Sequence, residues 1–123
     1  GYRGVKEDRA GGDDDVRPLF PSSPGQLSSL GGPIFAVHQE LIGVRRRNPW
    51  LHRATTDVLQ LSNEVLAYRI AVDADALVVA LNLSHDSQRI SAAGATSVVA
   101  GQATVDVGAD AVLVPPRGWA VLG

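Results

Sequence analysis

Beyond Arg53 the sequence breaks into short apolar runs, each closed by Gly, Pro, Asp, Asn or Ser, and that rhythm restricts this part of the chain to an all-β sandwich or barrel. Leu66, Tyr68, Ile70 and Val72 alternate with smaller or polar neighbours, the period-two pattern of a strand with one face turned to a core. Asp73 to Asp75 predict a turn. The run Leu77-Val78-Val79-Ala80-Leu81 is apolar in both phases, as a central strand covered on both faces must be. Further strands are expected at Arg89 to Ser91, Ser97 to Val99, Thr104 to Val107, Ala111 to Val114 and Trp119 to Leu122. The Pro115-Pro116-Arg117-Gly118 turn predicts a terminal hairpin joining the last two. The fold class expected from these residues is mainly β, an antiparallel sandwich or barrel. A unit of roughly 70 residues is near the lower limit for a self-supporting core, so packing against a larger neighbour would help it.

The first 32 residues have another character. They hold more than half of the chain's 13 glycines, together with Asp and Ser, and keep neither helical nor strand periodicity. They read as one long loop, and loops beyond about 15 residues are usually functional and braced by a scaffold. From Pro33 the pattern changes to Phe35, His38, Leu41, Ile42 and Arg45 at spacings of three and four, which predicts a helix over Pro33 to Arg47. Arg45, Arg46 and Arg47 complement the negative end of its dipole, and Pro49 stops it.

Composition excludes several kinds of function. The 123 residues are 45% hydrophobic and 20% charged, the balance of an ordinary globular segment. A formal charge of −2 gives no field that would gather nucleic acid or an anionic membrane. The longest apolar stretch, Ala76 to Leu83, falls short of the roughly 20 residues needed to span a bilayer as a helix. With no cysteine, thiol catalysis and thiolate metal sites are excluded and no oxidising compartment is needed, which favours the cytoplasm. The opening Gly1-Tyr2-Arg3-Gly4 is neither a translation start nor a signal peptide, so further sequence is expected upstream.

Three segments, in order, carry a family resemblance. Glu7-Asp8-Arg9-Ala10-Gly11-Gly12-Asp13-Asp14-Asp15-Val16-Arg17-Pro18-Leu19-Phe20-Pro21 resembles the loop after a late strand of the catalytic barrel in the alpha-amylase family, glycoside hydrolase family 13. Leu41-Ile42-Gly43-Val44-Arg45-Arg46-Arg47-Asn48-Pro49-Trp50-Leu51 is similar to that family's last barrel helix. The β-rich tail, with Ala76-Leu77-Val78-Val79-Ala80-Leu81-Asn82-Leu83 and the closing Val114 to Leu122, looks like its C-terminal sandwich. The resemblance, closest to neopullulanases and alpha-glucosidases, implies that residues 1–52 end a (β/α)8 barrel and that residues 53–123 form the C-terminal domain.

It also implies where the chemistry is. Retaining glycosidases use two carboxyl groups about 5 Å apart, one nucleophile and one general acid/base, standing at barrel strand ends. By the resemblance all catalytic residues precede Gly1, so none is assigned here and the chain alone is expected to be inactive. Neopullulanase-like members carry an Asp, and four positions later an Arg, that hydrogen-bond a substrate sugar. The matching positions are Asp13 and Arg17, with Asp14 as the alternative carboxylate. A carboxylate accepting from vicinal hydroxyls beside a guanidinium donating to them is sound sugar-binding chemistry. The competing reading makes Asp13, Asp14 and Asp15 solvated turn residues and Arg17 a cap on a neighbouring element.

Other candidates favour plainer roles. The Asp run lacks the ligand spacing of a calcium loop, and His38, His52 and His85 share no metal-ligand spacing, so no metal or cofactor is expected. Trp50 and Trp119 follow turn signals and suit interdomain packing better than sugar stacking. The expected function is support within an enzyme that cleaves or transfers alpha-glucosidic bonds, the partners being an alpha-glucan or maltooligosaccharide and the catalytic barrel of the parent chain. The alternative is a stand-alone carbohydrate-binding or interaction module, against which an aromatic content of 5% argues.

Overall fold

The computed structural model describes residues 4–29, 31–92 and 94–123; Gly1 to Arg3 and Leu30, all within the expected loop, lie outside them, as does Ala93. The chain separates into two compact units, Gly1–Ile42 and Gly43–Gly123. This division concerns contacts within the chain. The boundary expected from the resemblance lay after residue 52.

In the first unit, described residues up to Ser29 form consecutive turns and one short 3-10 turn, Pro24–Gln26. The helix α1 runs Gly31–Arg47, with Arg45, Arg46 and Arg47 in its last turn as expected. Proline at position 49 does not simply end the chain's coiling. It starts a second 3-10 turn, Pro49–His52, consistent with its tolerance at a first helical position. Asn48 joins the two: its Nδ2 donates to the Val44 carbonyl at 2.9 Å, while its Oδ1 accepts from Trp50 Nε1 at 3.2 Å.

The second unit is an antiparallel sandwich of eight strands: β1 Thr55–Leu61, β2 Val65–Val72, β3 Asp75–Asn82, β4 Gln88–Ser91, β5 Val98–Gly101, β6 Thr104–Asp106, β7 Ala111–Val114 and β8 Trp119–Leu122. One sheet has the order β1-β2-β3-β8-β5 and the other β4-β7-β6. Val72 pairs with Asp75, so β2 and β3 are joined by a two-residue turn whose first residue, Asp73, has φ of 52°. Aspartate tolerates that left-handed conformation better than most residues.

The terminal hairpin does not form. β7 pairs with β4 and β6, whereas β8 pairs with β3 and β5, so Pro115 to Gly118 carry the chain from one sheet to the other. A turn sequence marks a reversal of direction but not the partner of the next strand. Here β8 enters the gap beside β3, where both of its edges find hydrogen bonds. Strand β1 was not individually expected, because Thr55, Thr56, Asp57, Val58 and Leu61 are exposed and leave a weak alternation. The Thr104 strand stops at Asp106 and Val107 begins a 3-10 turn, Val107–Ala109.

Between the sheets, Ala67, Ala80 and Ala120 are cross-strand neighbours in one row and each is 0% exposed. Such small side chains let the second sheet bring Ile90, Val112 and Val114 close, and these are also fully buried in the same cluster. The opposite face of the five-stranded sheet is covered too. Val44, Trp50 and Leu51 pack there with Leu77, Val79, Val99, Trp119 and Val121. The doubly apolar run has its explanation in these two coverings: Val78 and Ala80 face one cluster, Leu77 and Val79 the other. No described helix is long and apolar enough to cross a membrane.

Candidate functional site

A chain of short-range backbone hydrogen bonds organises the loop that carries Asp13 and Arg17. Glu7 N–H donates to the Gly12 carbonyl at 3.0 Å, and Gly12 N–H to the Arg9 carbonyl at 3.0 Å. Val16 and Arg17 N–H groups both donate to the Asp13 carbonyl, at 3.1 and 2.9 Å. The last two bonds close a single helix-like turn over residues 13 to 17, and that turn sets Asp13 and Arg17 on one side as an i, i+4 pair. Gly12 is buried, and a Cβ there would overlap the Glu7 carbonyl oxygen, so the close crossing needs glycine.

The Asp13 carboxylate lies between two cations. Its Oδ2 is 3.5 Å from Arg17 Nη1, and its Oδ1 is 3.4 Å from Lys6 Nζ. Both distances exceed those of a good N–H···O hydrogen bond, so these are loose ion pairs. The carboxylate keeps lone pairs, and the Arg17 side chain, 79% exposed, keeps donors, for another polar partner. Asp14 and Asp15 are exposed and enter no ion pair among the described residues. A polar concavity of about 510 Å³ runs along Lys6 to Asp13. Arg9, which lines it, is paired with Glu7.

The structure therefore brings together Asp13 and Arg17, the two residues that the resemblance singled out, and adds Lys6, which it did not. Lys6 stands seven positions before Asp13 in a segment without periodicity. Only the turn at residues 9 to 12 returns the chain so that the two meet. The Gly11-Gly12 pair was the available signal for that turn.

The remaining candidates take structural positions. His38 Nδ1 lies 2.8 Å from the Ile34 carbonyl one turn earlier, on an exposed side of α1. His85 Nε2 lies 2.7 Å from Arg117 Nη2. His52 is exposed. Trp50 and Trp119 are half-buried and pack on the outer face of the five-stranded sheet. Among the described residues no group of three or more His, Cys, Asp or Glu side chains could hold a metal ion.

No family model matches the chain. Over 62 residues, half of its length, it is 37% identical to the glucan 1,6-alpha-glucosidase of Streptococcus pneumoniae serotype 4 (strain ATCC BAA-334 / TIGR4). The match spans 11% of that enzyme.

Proposed function

We propose that this chain is part of an alpha-amylase-family enzyme that cleaves or transfers alpha-glucosidic bonds in glucans by a retaining mechanism, with its catalytic carboxylates outside these residues. The observation that carries the reading is the 37% identity over 62 residues to a glucan 1,6-alpha-glucosidase. A β-sandwich preceded by one helix and a long loop agrees with it. In this reading residues 1–52 complete the catalytic barrel of the parent chain and residues 53–123 form the C-terminal domain.

The loop then serves substrate. Asp13 accepts hydrogen bonds from adjacent sugar hydroxyls while Arg17 donates to one of them, their loose mutual pairing being exchanged for bonds to the ligand. The two carboxyl groups of the parent act on the glycosidic bond as nucleophile and general acid/base. Asp13 and Arg17 orient the sugar and do not react.

Kinetics of the parent enzyme test this. Arg17→Ala in the full-length enzyme should lower kcat/KM on short alpha-glucans about 10-fold to 100-fold, the worth of one charge-assisted hydrogen bond of ~1.5–3 kcal/mol, with an unchanged melting temperature. Unchanged kcat/KM would remove Arg17 from the site. The 123-residue chain alone should neither hydrolyse glucans nor bind maltooligosaccharide measurably. Tight binding by the chain alone would favour a stand-alone carbohydrate-binding module instead.

A further inference from the structure

One position in the sandwich breaks the inward-facing pattern. Along β2 the inner row reads Val65, Ala67, Arg69, the first two buried in the core and the third a half-buried arginine. Arg69, Val78 and Leu122 are cross-strand neighbours in one row, and all three line a cavity of about 170 Å³ at the mouth between the sheets. Ala76, Leu77, Gly94, Ala95 and the main chain of Gly123 complete the walls. Val78, Ala95 and Leu122 are core residues at 2%, 7% and 0% exposure, so the cavity floor is the core itself.

The Arg69 guanidinium makes no ion pair with any described residue. Asp57, its cross-strand neighbour on the edge strand, is exposed and stands beyond ion-pair distance. Asp110 accepts from the N–H of Gly94 and forms no ion pair with Arg69. A half-buried guanidinium lining a concavity attracts an anion, and its planar fork suits a carboxylate. The walls restrict the rest of such a ligand. Apart from Arg69 their side chains are alanine, valine and leucine, which favour an alkyl tail over a polyhydroxylated one.

We propose that the mouth of the sandwich is a binding site for a small aliphatic carboxylate, with Arg69 holding the carboxylate and Val78, Ala95 and Leu122 receiving the alkyl tail. The volume matches about five or six heavy atoms at the ~30 Å³ that a liquid molecule the size of water occupies per heavy atom. None of its lining residues belongs to the loop that carries Asp13 and Arg17.

Amide-resolved NMR titration of the full chain with butyrate provides the test, with formate, inorganic phosphate and butanol as controls. Butyrate should give saturable shifts at Arg69, Gly94, Ala95 and Leu122 with a dissociation constant of about millimolar, worth roughly 4 kcal/mol. Formate and phosphate should bind at least about tenfold more weakly for want of the apolar contact, and butanol for want of the charge. Arg69→Gln should abolish the butyrate shifts while its spectrum stays folded. Arg69→Leu, which fills the cavity, should melt no lower than the natural chain and lose the rise in melting temperature that butyrate produces. Absence of saturation, undiminished binding in Arg69→Gln, or equal affinity for phosphate would each overturn the proposal.

Discussion

Asn82 is fully buried, and its side chain spends every bonding group it has. The two N–H groups of Nδ2 are shared among the carbonyls of Asp86, Val114 and Pro115, at 2.8, 3.1 and 2.9 Å, and Oδ1 accepts from Ser84 N–H and Oγ at 2.9 and 2.7 Å. One amide thereby ties the end of β3 to the turn after it and to the crossover between β7 and β8. Asn82→Ala leaves several of these groups without partners, and chemical denaturation should show a loss of about 3 kcal/mol. Asn82→Asp should cost more, because a carboxylate would face the carbonyl oxygens that Nδ2 now serves. A second residue-scale prediction concerns Gly101, where φ is 81° and a Cβ would overlap the Trp119 carbonyl oxygen. Gly101→Ala should destabilise the sandwich by more than about 1 kcal/mol, read as a lower melting temperature. Neither role was visible in the sequence, where Asn82 was only the residue after an apolar run. By contrast the Asp13 and Arg17 pairing was legible, since a four-residue interval closes within a single turn.

Elements show where local signals suffice. Helix α1 was readable because its stop is local chemistry: three arginines, an asparagine that caps by its side chain and a proline. Its packing was not readable. Of its described side chains only Val44 is buried, while Ile34, Phe35, Leu41 and Ile42 are 50%, 60%, 39% and 49% exposed. Exposed apolar area of this kind invites a covering surface, and in the proposed parent enzyme the catalytic barrel would supply it. The 3-10 turn after α1 has a firmer place, since Trp50 packs on the outer face of the five-stranded sheet. Trp50→Ala should lower stability by about 2 kcal/mol, less than for a fully buried tryptophan because Trp50 is half-exposed. Equal melting curves would show that this face needs no cover.

At the scale of the whole molecule the two compact units differ in how they are held. Before α1, the first depends on turns and exposed ion pairs, and such pairs contribute little. The second has ladders closed on both sides of β3 and β8 and two apolar clusters. Hydrogen exchange should therefore be slowest at β3 and β8 and fast throughout the described residues up to Ser29. Protection in that loop equal to that of β8 would contradict this account.

The division between sequence and structure reflects the range of the forces. Turn residues, helix ends and alternation act over a few positions, so the sequence alone determined that a loop, one helix and a series of short strands occur in this order. It also marked Leu77 to Leu81 as covered on both faces and Asp13 with Arg17 as a possible pair. Strand partnership is settled by long-range burial, where each strand takes the edge that completes its hydrogen bonds and hides its apolar row. That competition placed β8 between β3 and β5 instead of beside β7, and it brought β1 into the sheet although its own pattern was weak. The same pairing set Arg69 beside Val78 and Leu122 at the mouth of the sandwich, a neighbourhood no local pattern encodes.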